Sequence, residues 1–298
     1  MPKLEIDLAG VRLRNPLMNA SGVLGNSASL LRRVATAGAG AVVTKSVTIE
    51  PKEGYDNPTY VKLRCGAINA MGLPNPGYEE MAEELSALRD LDVPIIASIA
   101  PADGREAEVM SKAMGNVAQA IELNLSCPHA SKLGYEVGSD LTLAKRILER
   151  AKAGTSKPIF AKLPPVRDHC LSLAKELSSA DGFVVANTMR AMAIDVSARK
   201  PVLSAKFGGL SGYPLHPVVV GLLFELYEVT DKPLVGVGGV ESWDDAVELM
   251  LAGARAVQIG SALGGDLQLF HSIKTGMLEY VENNGLTVSE LVGLAHRA

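Results

Sequence analysis

The feature that most constrains the fold is a unit that recurs along the chain: a short β-rich apolar run, a polar or glycine-containing turn, then an amphipathic stretch. Such alternation is the pattern of parallel βα units, in which each helix covers the sheet its strand joins. The runs fall at residues 16–20, 41–46, 94–99, 120–125, 158–163, 182–186, 233–237 and 256–259. Eight of them predict an α/β chain closed into a (β/α)8 barrel. Residues 4–13 alternate about Ala9 and Gly10, which predicts a β-hairpin ahead of the first barrel strand. An open, doubly wound sheet is the alternative. Against it, no GxGxxG follows the first run, and polar residues close nearly every run. They are Asn19 and Ser21, Thr44 and Lys45, Ser98, Asn124 and Ser126, Lys162, Asn187 and Thr188, Gly238 and Gly239, and Gly260 and Ser261. A barrel builds its active site at that end of its strands.

Composition narrows the function. With 298 residues, 47% of them hydrophobic, the chain suits one large domain over residues 1–298, and neither a repeat nor a composition shift marks a second. The formal net charge is -4 and no run of Lys and Arg forms the basic stripe that nucleic acid requires. The most apolar stretch, residues 218–224, is far too short to cross a bilayer and reads as a core helix. Residues 1–10 lack the basic start and long apolar run of a signal peptide, so a cytoplasmic protein is expected. Three cysteines, Cys65, Cys127 and Cys170, include no CxxC pair and fall short of the four thiolates of an iron–sulfur cluster. His169, His216, His271 and His296 lie in or beside predicted helices without metal-ligand spacing, so no metal site is expected.

The chemistry gathers at the strand ends. Glycines at 236, 238, 239 and 260, with Ser261, precede helices expected near Ser242 and Asp266, and their backbone N–H groups can cradle a phosphate. Tight turns alone are the bland reading. Lys45 and Lys162 each follow an apolar run, which buries the stem and aims the ammonium at the barrel mouth, where an anionic partner is required. A reduced flavin suits one of them; for a single lysine, a core carboxylate would serve equally. Two connections, residues 47–77 and 187–212, are too long to be simple turns and read as functional loops. In the first, Asn69, Met71, Gly72, Leu73 and Asn75 offer backbone N–H groups and an amide to a carboxylate. Asn124, Asn187 and Thr188 add the paired donors and acceptors that a planar ring of alternating NH and C=O groups needs. Cys127, just past the fourth run, is a candidate general base, whereas Cys65 and Cys170 read as surface or packing residues. His129 is evenly poised between a surface role and tuning the thiol.

In this order the segments resemble the class 1 dihydroorotate dehydrogenases, and the resemblance covers nearly the whole chain. It is carried by Asn-Ala-Ser-Gly at 19–22, Thr-Lys-Ser-Val-Thr at 44–48, Asn-Ala-Met-Gly-Leu-Pro-Asn at 69–75 and Asn-Leu-Ser-Cys-Pro at 124–128. Lys-Leu-Pro-Pro at 162–165, Asn187 with Thr188, Gly-Gly-Leu-Ser-Gly at 208–212, Gly-Val-Gly-Gly at 236–239 and Gly260 with Ser261 complete it. The resemblance implies a (β/α)8 TIM barrel that oxidises (S)-dihydroorotate to orotate, with Cys127 removing the C5 proton and hydride passing from C6 to N5 of FMN. It implies FMN contacts at Ser21, Lys45, Ser46, Ser98, Asn124, Lys162, Ala186, Gly212, Gly238, Gly239, Gly260 and Ser261. Orotate would be held by Lys45, Asn69, Met71, Gly72, Leu73, Asn124, Asn187 and Thr188, and Lys162 would stabilise the reduced flavin. Residues 187–212 look like the branch that pairs with a second subunit carrying FAD and a [2Fe-2S] cluster and passes electrons to NAD, as a homodimer or a heterotetramer with that subunit. Two residues depart from the pattern: His129 stands where the family usually has Asn, and Ser98 where an Asn often contacts flavin. Both are similar to the dihydropyrimidine dehydrogenases, the alternative reading, but the 69–75 loop has the dihydroorotate form.

Overall fold

The computed structural model describes residues 4–126 and 138–297. Its strands, in chain order, are β1 (Ile6–Leu8), β2 (Val11–Leu13), β3 (Leu17–Asn19), β4 (Val42–Val43), β5 (Tyr60–Leu63), β6 (Gly66–Asn69), β7 (Ile95–Ile99) and β8 (Ala120–Asn124). They continue with β9 (Ile159–Leu163), β10 (Gly182–Val185), β11 (Met189–Met192), β12 (Ile194–Asp195), β13 (Lys200–Pro201), β14 (Phe207–Ser211), β15 (Leu234–Val237) and β16 (Ala254–Ile259).

Eight of these form one parallel sheet in the order β3-β16-β15-β10-β9-β8-β7-β4. A parallel bridge between Met18 and Ala41 joins its two edges, so the sheet is a (β/α)8 barrel. The Asn19 side chain completes that seam: its Oδ1 accepts from Val43 N at 2.9 Å and its Nδ2 donates to Val43 O at 2.8 Å. Every barrel strand lies within or beside one of the eight apolar runs, and the run at 41–46 supplies only two residues of ladder.

A helix follows each barrel strand: Ala28–Thr36, Tyr78–Ser86, Gly104–Gly115, Leu141–Gly154, Arg167–Glu176, His216–Val229, Trp243–Leu251 and Leu269–Asn283. Ser27, Asp103 and Asp140 cap three of them by accepting from a backbone N–H three residues on. The 218–224 run lies in His216–Val229 and buries Val219, Leu222 and Leu223. Trp243–Leu251 starts at Ser242 as expected, whereas the helix expected near Asp266 begins at Leu269, behind a short 3-10 turn, Ser261–Gly264.

The hairpin β1–β2 turns through Ala9 (φ 52°) and Gly10 (φ 86°), both left-handed, as a two-residue turn matched to strand twist requires. It sinks Leu8 and Leu13 into the core.

Residues 47–77 and 187–212 are more than loops. They contribute a four-stranded antiparallel sheet in the order β11-β14-β6-β5, and β12 pairs with β13 beside it. Gly209 pairs with Asn69 and Leu210 with Ile68, so the two excursions are stitched to each other. Ile68, Ala70 and Leu203 form a small core of their own beneath this sheet. No helix among the described residues is long and apolar enough to cross a membrane.

Candidate active site

A cleft of about 900 Å³ opens between the carboxyl ends of the barrel strands and the antiparallel sheet, within the range of sites for cofactors and small molecules. Its lining includes Ser21, Lys45, Ser46, Asn69, Met71, Gly72, Leu73, Asn124, Lys162, Ala186, Asn187, Thr188, Gly212, Gly238, Gly239, Gly260 and Ser261. These residues come from all along the chain, and the barrel is what brings them together.

Three residues of the expected polar ring, Ser98, Asn19 and Thr44, turn away from it. Ser98 is fully buried in the barrel wall, where its Oγ donates to Glu122 Oε1 at 2.9 Å and its N–H to Thr44 Oγ1 at 2.8 Å. Asn19 and Thr44 are likewise wall residues, used up by the seam and by Ser98. A side chain at a strand end faces the cleft only if the pleat aims it there, and this phase is what the polar ring alone could not supply.

Lys162, on β9, is 4% exposed and its ammonium donates to Ser21 Oγ at 3.2 Å, Gln258 Oε1 at 3.3 Å and Glu122 Oε1 at 3.4 Å. The core carboxylate considered for a single lysine is therefore present, and Lys162 faces both it and the cleft. Glu122 and Gln258 are buried in turn, with Gln258 Nε2 donating to Glu122 Oε2 at 2.8 Å. Sequence reasoning missed both. The available signal was the Glu in the otherwise apolar run at 120–124, because a charge in a buried strand requires a partner.

Asn124 faces Lys162 across the β8–β9 ladder. Its Nδ2 donates to Ser46 Oγ at 3.1 Å, and its Oδ1 accepts from Ser126 N at 3.3 Å and Asn187 Nδ2 at 3.4 Å. Asn187 Nδ2 also reaches Ser126 Oγ at 3.1 Å. Lys45 is buried just past the end of β4, with Lys45 N donating to Gly25 O at 2.9 Å.

The 69–75 loop is held from inside. Asn75 is buried; its Oδ1 accepts from Thr48 N at 3.1 Å and Gly77 N at 2.9 Å, and its Nδ2 donates to Leu73 O at 2.8 Å. These bonds fix Gly72 (φ 74°) and Leu73 (φ 59°) in the left-handed region, a conformation that an L-leucine adopts only when its surroundings impose it. Asn75 is thus a brace, while Asn69, Met71, Gly72 and Leu73 line the cleft.

At the other end of the cleft, Gly238 (φ 154°) and Gly239 (φ 65°) turn the chain after β15. A Cβ at Gly239 would meet His216 Cβ at 2.8 Å and Gly212 O at 2.9 Å. His216 is buried behind this turn, with Nδ1 3.1 Å from Gly238 O and Nε2 2.9 Å from Glu248 Oε2. Sequence reasoning gave His216 only a helix-flanking position; it braces the glycine turn. By contrast, a Cβ at Gly264 or Gly265 would face open space, and one at Gly260 only Ala20 Cβ at 3.8 Å. The cleft wall there is bare backbone, as close approach by a phosphate demands.

Cys127 and His129 lie outside the described residues. Of the other two cysteines, Cys65 is exposed and Cys170 is buried, burial pushing its thiol up to about 12. Desolvation of His169 holds its pKa below the usual histidine range. Among the described residues, no three His, Cys, Asp or Glu side chains converge as a metal site.

The sequence profile described as dihydroorotate dehydrogenase matches residues 3–281. The chain belongs to the dihydroorotate dehydrogenase family. Among curated dihydroorotate dehydrogenases, it is 44% identical over 297 residues to a protein of Methanocella arvoryzae, covering 99% of this chain and 98% of that one. A protein of Pyrococcus horikoshii is 46% identical, with 98% and 97% covered, and one of Methanocaldococcus jannaschii 42%, with 98% of each covered. All three are named dihydroorotate dehydrogenase B (NAD(+)), catalytic subunit. Similarity of this kind over full length favours the dihydroorotate dehydrogenase reading over the dihydropyrimidine dehydrogenases suggested by His129 and Ser98.

Proposed function

We propose that this chain is the catalytic subunit of an NAD-linked dihydroorotate dehydrogenase, which oxidises (S)-dihydroorotate to orotate in pyrimidine (UMP) biosynthesis. The observation that carries the reading is the joining, in one cleft, of two buried lysines and three asparagines with a bare glycine wall.

That donor set fits FMN. Gly238, Gly239, Gly260 and Ser261 would hold its phosphate, and Ser21, Lys45, Ser46, Asn124, Lys162, Ala186 and Gly212 its ring system. Ser98 would act on it only from beneath, through Ser46, whose Oγ lies 2.8 Å from Ser98 Oγ. When bound, FMN supplies the two-electron acceptor that takes the C6 hydride of dihydroorotate. Lys162 places a positive charge at the cleft floor, where negative charge arrives with that hydride.

The substrate is an anionic ring with alternating NH and C=O groups. Asn69, Asn124, Asn187 and Thr188 offer it paired donors and acceptors, while Lys45 and the backbone of Met71, Gly72 and Leu73 meet its carboxylate. Cys127, three residues beyond Asn124, is the proposed general base for the C5 proton. Loss of that proton and of the C6 hydride leaves the C5=C6 double bond of orotate, and the proton passes from the thiol to solvent.

FAD and a [2Fe-2S] cluster, on a separate subunit, would carry electrons on to NAD. The word subunit in the relatives' names supports such a partner. The whole chain would act as one domain, in the cytoplasm, as a homodimer or with the partner as a heterotetramer.

The test is anaerobic. Protein loaded with FMN should bleach on adding dihydroorotate and show a perturbed flavin spectrum with orotate. Bleaching by dihydrouracil in place of dihydroorotate would sink the proposal.

A further inference from the structure

We propose that Glu122 is the positioning residue of this site, setting both the charge beneath the flavin subsite and the hydrogen-bond direction of Asn124. The inference rests on the FMN reading above.

Glu122 is fully buried inside the barrel, two residues before Asn124 and so on the same face of β8. Its Oε1 faces Ser98 Oγ at 2.9 Å and Lys162 Nζ at 3.4 Å, and its Oε2 faces Gln258 Nε2 at 2.8 Å. As the partner of a buried ammonium it is a carboxylate, and a carboxylate only accepts. That single fact fixes a chain of hydrogen bonds. Ser98 must donate to Glu122, so the Ser98 oxygen accepts from Ser46 at 2.8 Å. The Ser46 oxygen is then open to Asn124 Nδ2 at 3.1 Å, which turns Asn124 Oδ1 toward Asn187 at 3.4 Å. One carboxylate thus decides which end of the Asn124 amide meets each side of the cleft.

The other arm sets charge. Gln258 Oε1 accepts from Lys162 at 3.3 Å while its amide donates to Glu122, so carboxylate and ammonium are clamped as a pair. The pair has no net charge, and the floor beneath the flavin subsite is less positive than Lys162 alone would make it. A floor so tempered stabilises the negative charge that arrives with the hydride less strongly, and holds down the potential of the bound flavin.

The experiment is a measurement of the two-electron midpoint potential of bound FMN in the full chain. Glu122→Gln keeps shape and removes the charge. Its reduced FMN should bind about tenfold more tightly relative to oxidised FMN, a rise of about 30 mV for a two-electron couple. Glu122→Met removes the same charge with an apolar side chain of similar volume and should raise the potential likewise, so a folding failure of the first variant does not protect the idea. Ser98→Ala cuts only the Asn124 arm: orotate should bind about tenfold more weakly while the potential stays at the wild-type value. An unchanged or lowered potential in Glu122→Gln or Glu122→Met overturns the charge role; wild-type orotate binding in Ser98→Ala overturns the directional one. A wild-type chain that takes up no FMN, or that dihydroorotate fails to bleach, refutes the functional reading instead, before any variant is made.

Discussion

A buried ammonium persists only where acceptors surround it, and Lys162 has three, on β8, on β16 and in the turn after β3. The lysine was legible in the sequence because it ends an apolar run. Its partners were not, since Glu122 and Gln258 sit in other strands and only barrel closure makes them neighbours. Cys127 is proposed from its motif alone, and that role predicts that Cys127→Ala retains FMN and binds orotate, yet slows flavin reduction by about 100 to 10,000-fold. Stopped-flow absorbance of the flavin measures it, and near-normal reduction would remove Cys127 from the mechanism. Cys170 makes a different prediction. Its thiol is raised from 9.0 to about 12, so above about pH 9 the unfolded chain sheds a proton that the folded chain keeps. Stability from this group is full below the unfolded value and is lost as pH rises toward 12. Cys170→Ala leaves a cavity but has no thiol to titrate. The gap in Tm between wild type and Cys170→Ala should therefore narrow as calorimetry moves from about pH 8 to about pH 10.5.

At the level of elements, the barrel strands were readable because each is a local signal, an apolar run between turn residues. The antiparallel sheet was not. Its strands β5, β6, β11 and β14 are short and mostly half-buried, and the pairing that unites its two halves, β6 with β14, joins residues 140 apart in the chain, so nothing local reveals the sheet. What the sequence does carry is Gly208 in the motif at 208–212. A Cβ there would lie 2.5 Å from Ile68 Cγ2 and 2.7 Å from Asn69 O, so β14 can approach β6 only without a side chain at that point. Gly208→Val should push β6 outward and carry Asn69 with it. Since the proposed phosphate end of the cleft is built on β15 and β16, the variant should keep FMN, while orotate binds at least about tenfold more weakly. Titrating the flavin spectrum with orotate decides between this and a role in folding alone, which would reduce FMN occupancy as well.

For the molecule as a whole, the reaction divides between what one chain holds and what it lacks. The cleft joins the proposed flavin and substrate subsites, so dihydroorotate can reach the flavin without help from another protein. Onward transfer to NAD is another matter. An iron–sulfur cluster needs about four thiolates, and three cysteines, one exposed, one buried in a helix and one the proposed base Cys127, cannot provide them. The isolated chain loaded with FMN should therefore be reduced by dihydroorotate at full amplitude but form no NADH when NAD is added. Mixing in a separately purified subunit carrying FAD and a [2Fe-2S] cluster should restore NADH formation, read as absorbance growth at the expense of dihydroorotate. NADH formation by the isolated chain would show that the flavin cleft itself admits the nicotinamide, and the partner would then be unnecessary for the chemistry.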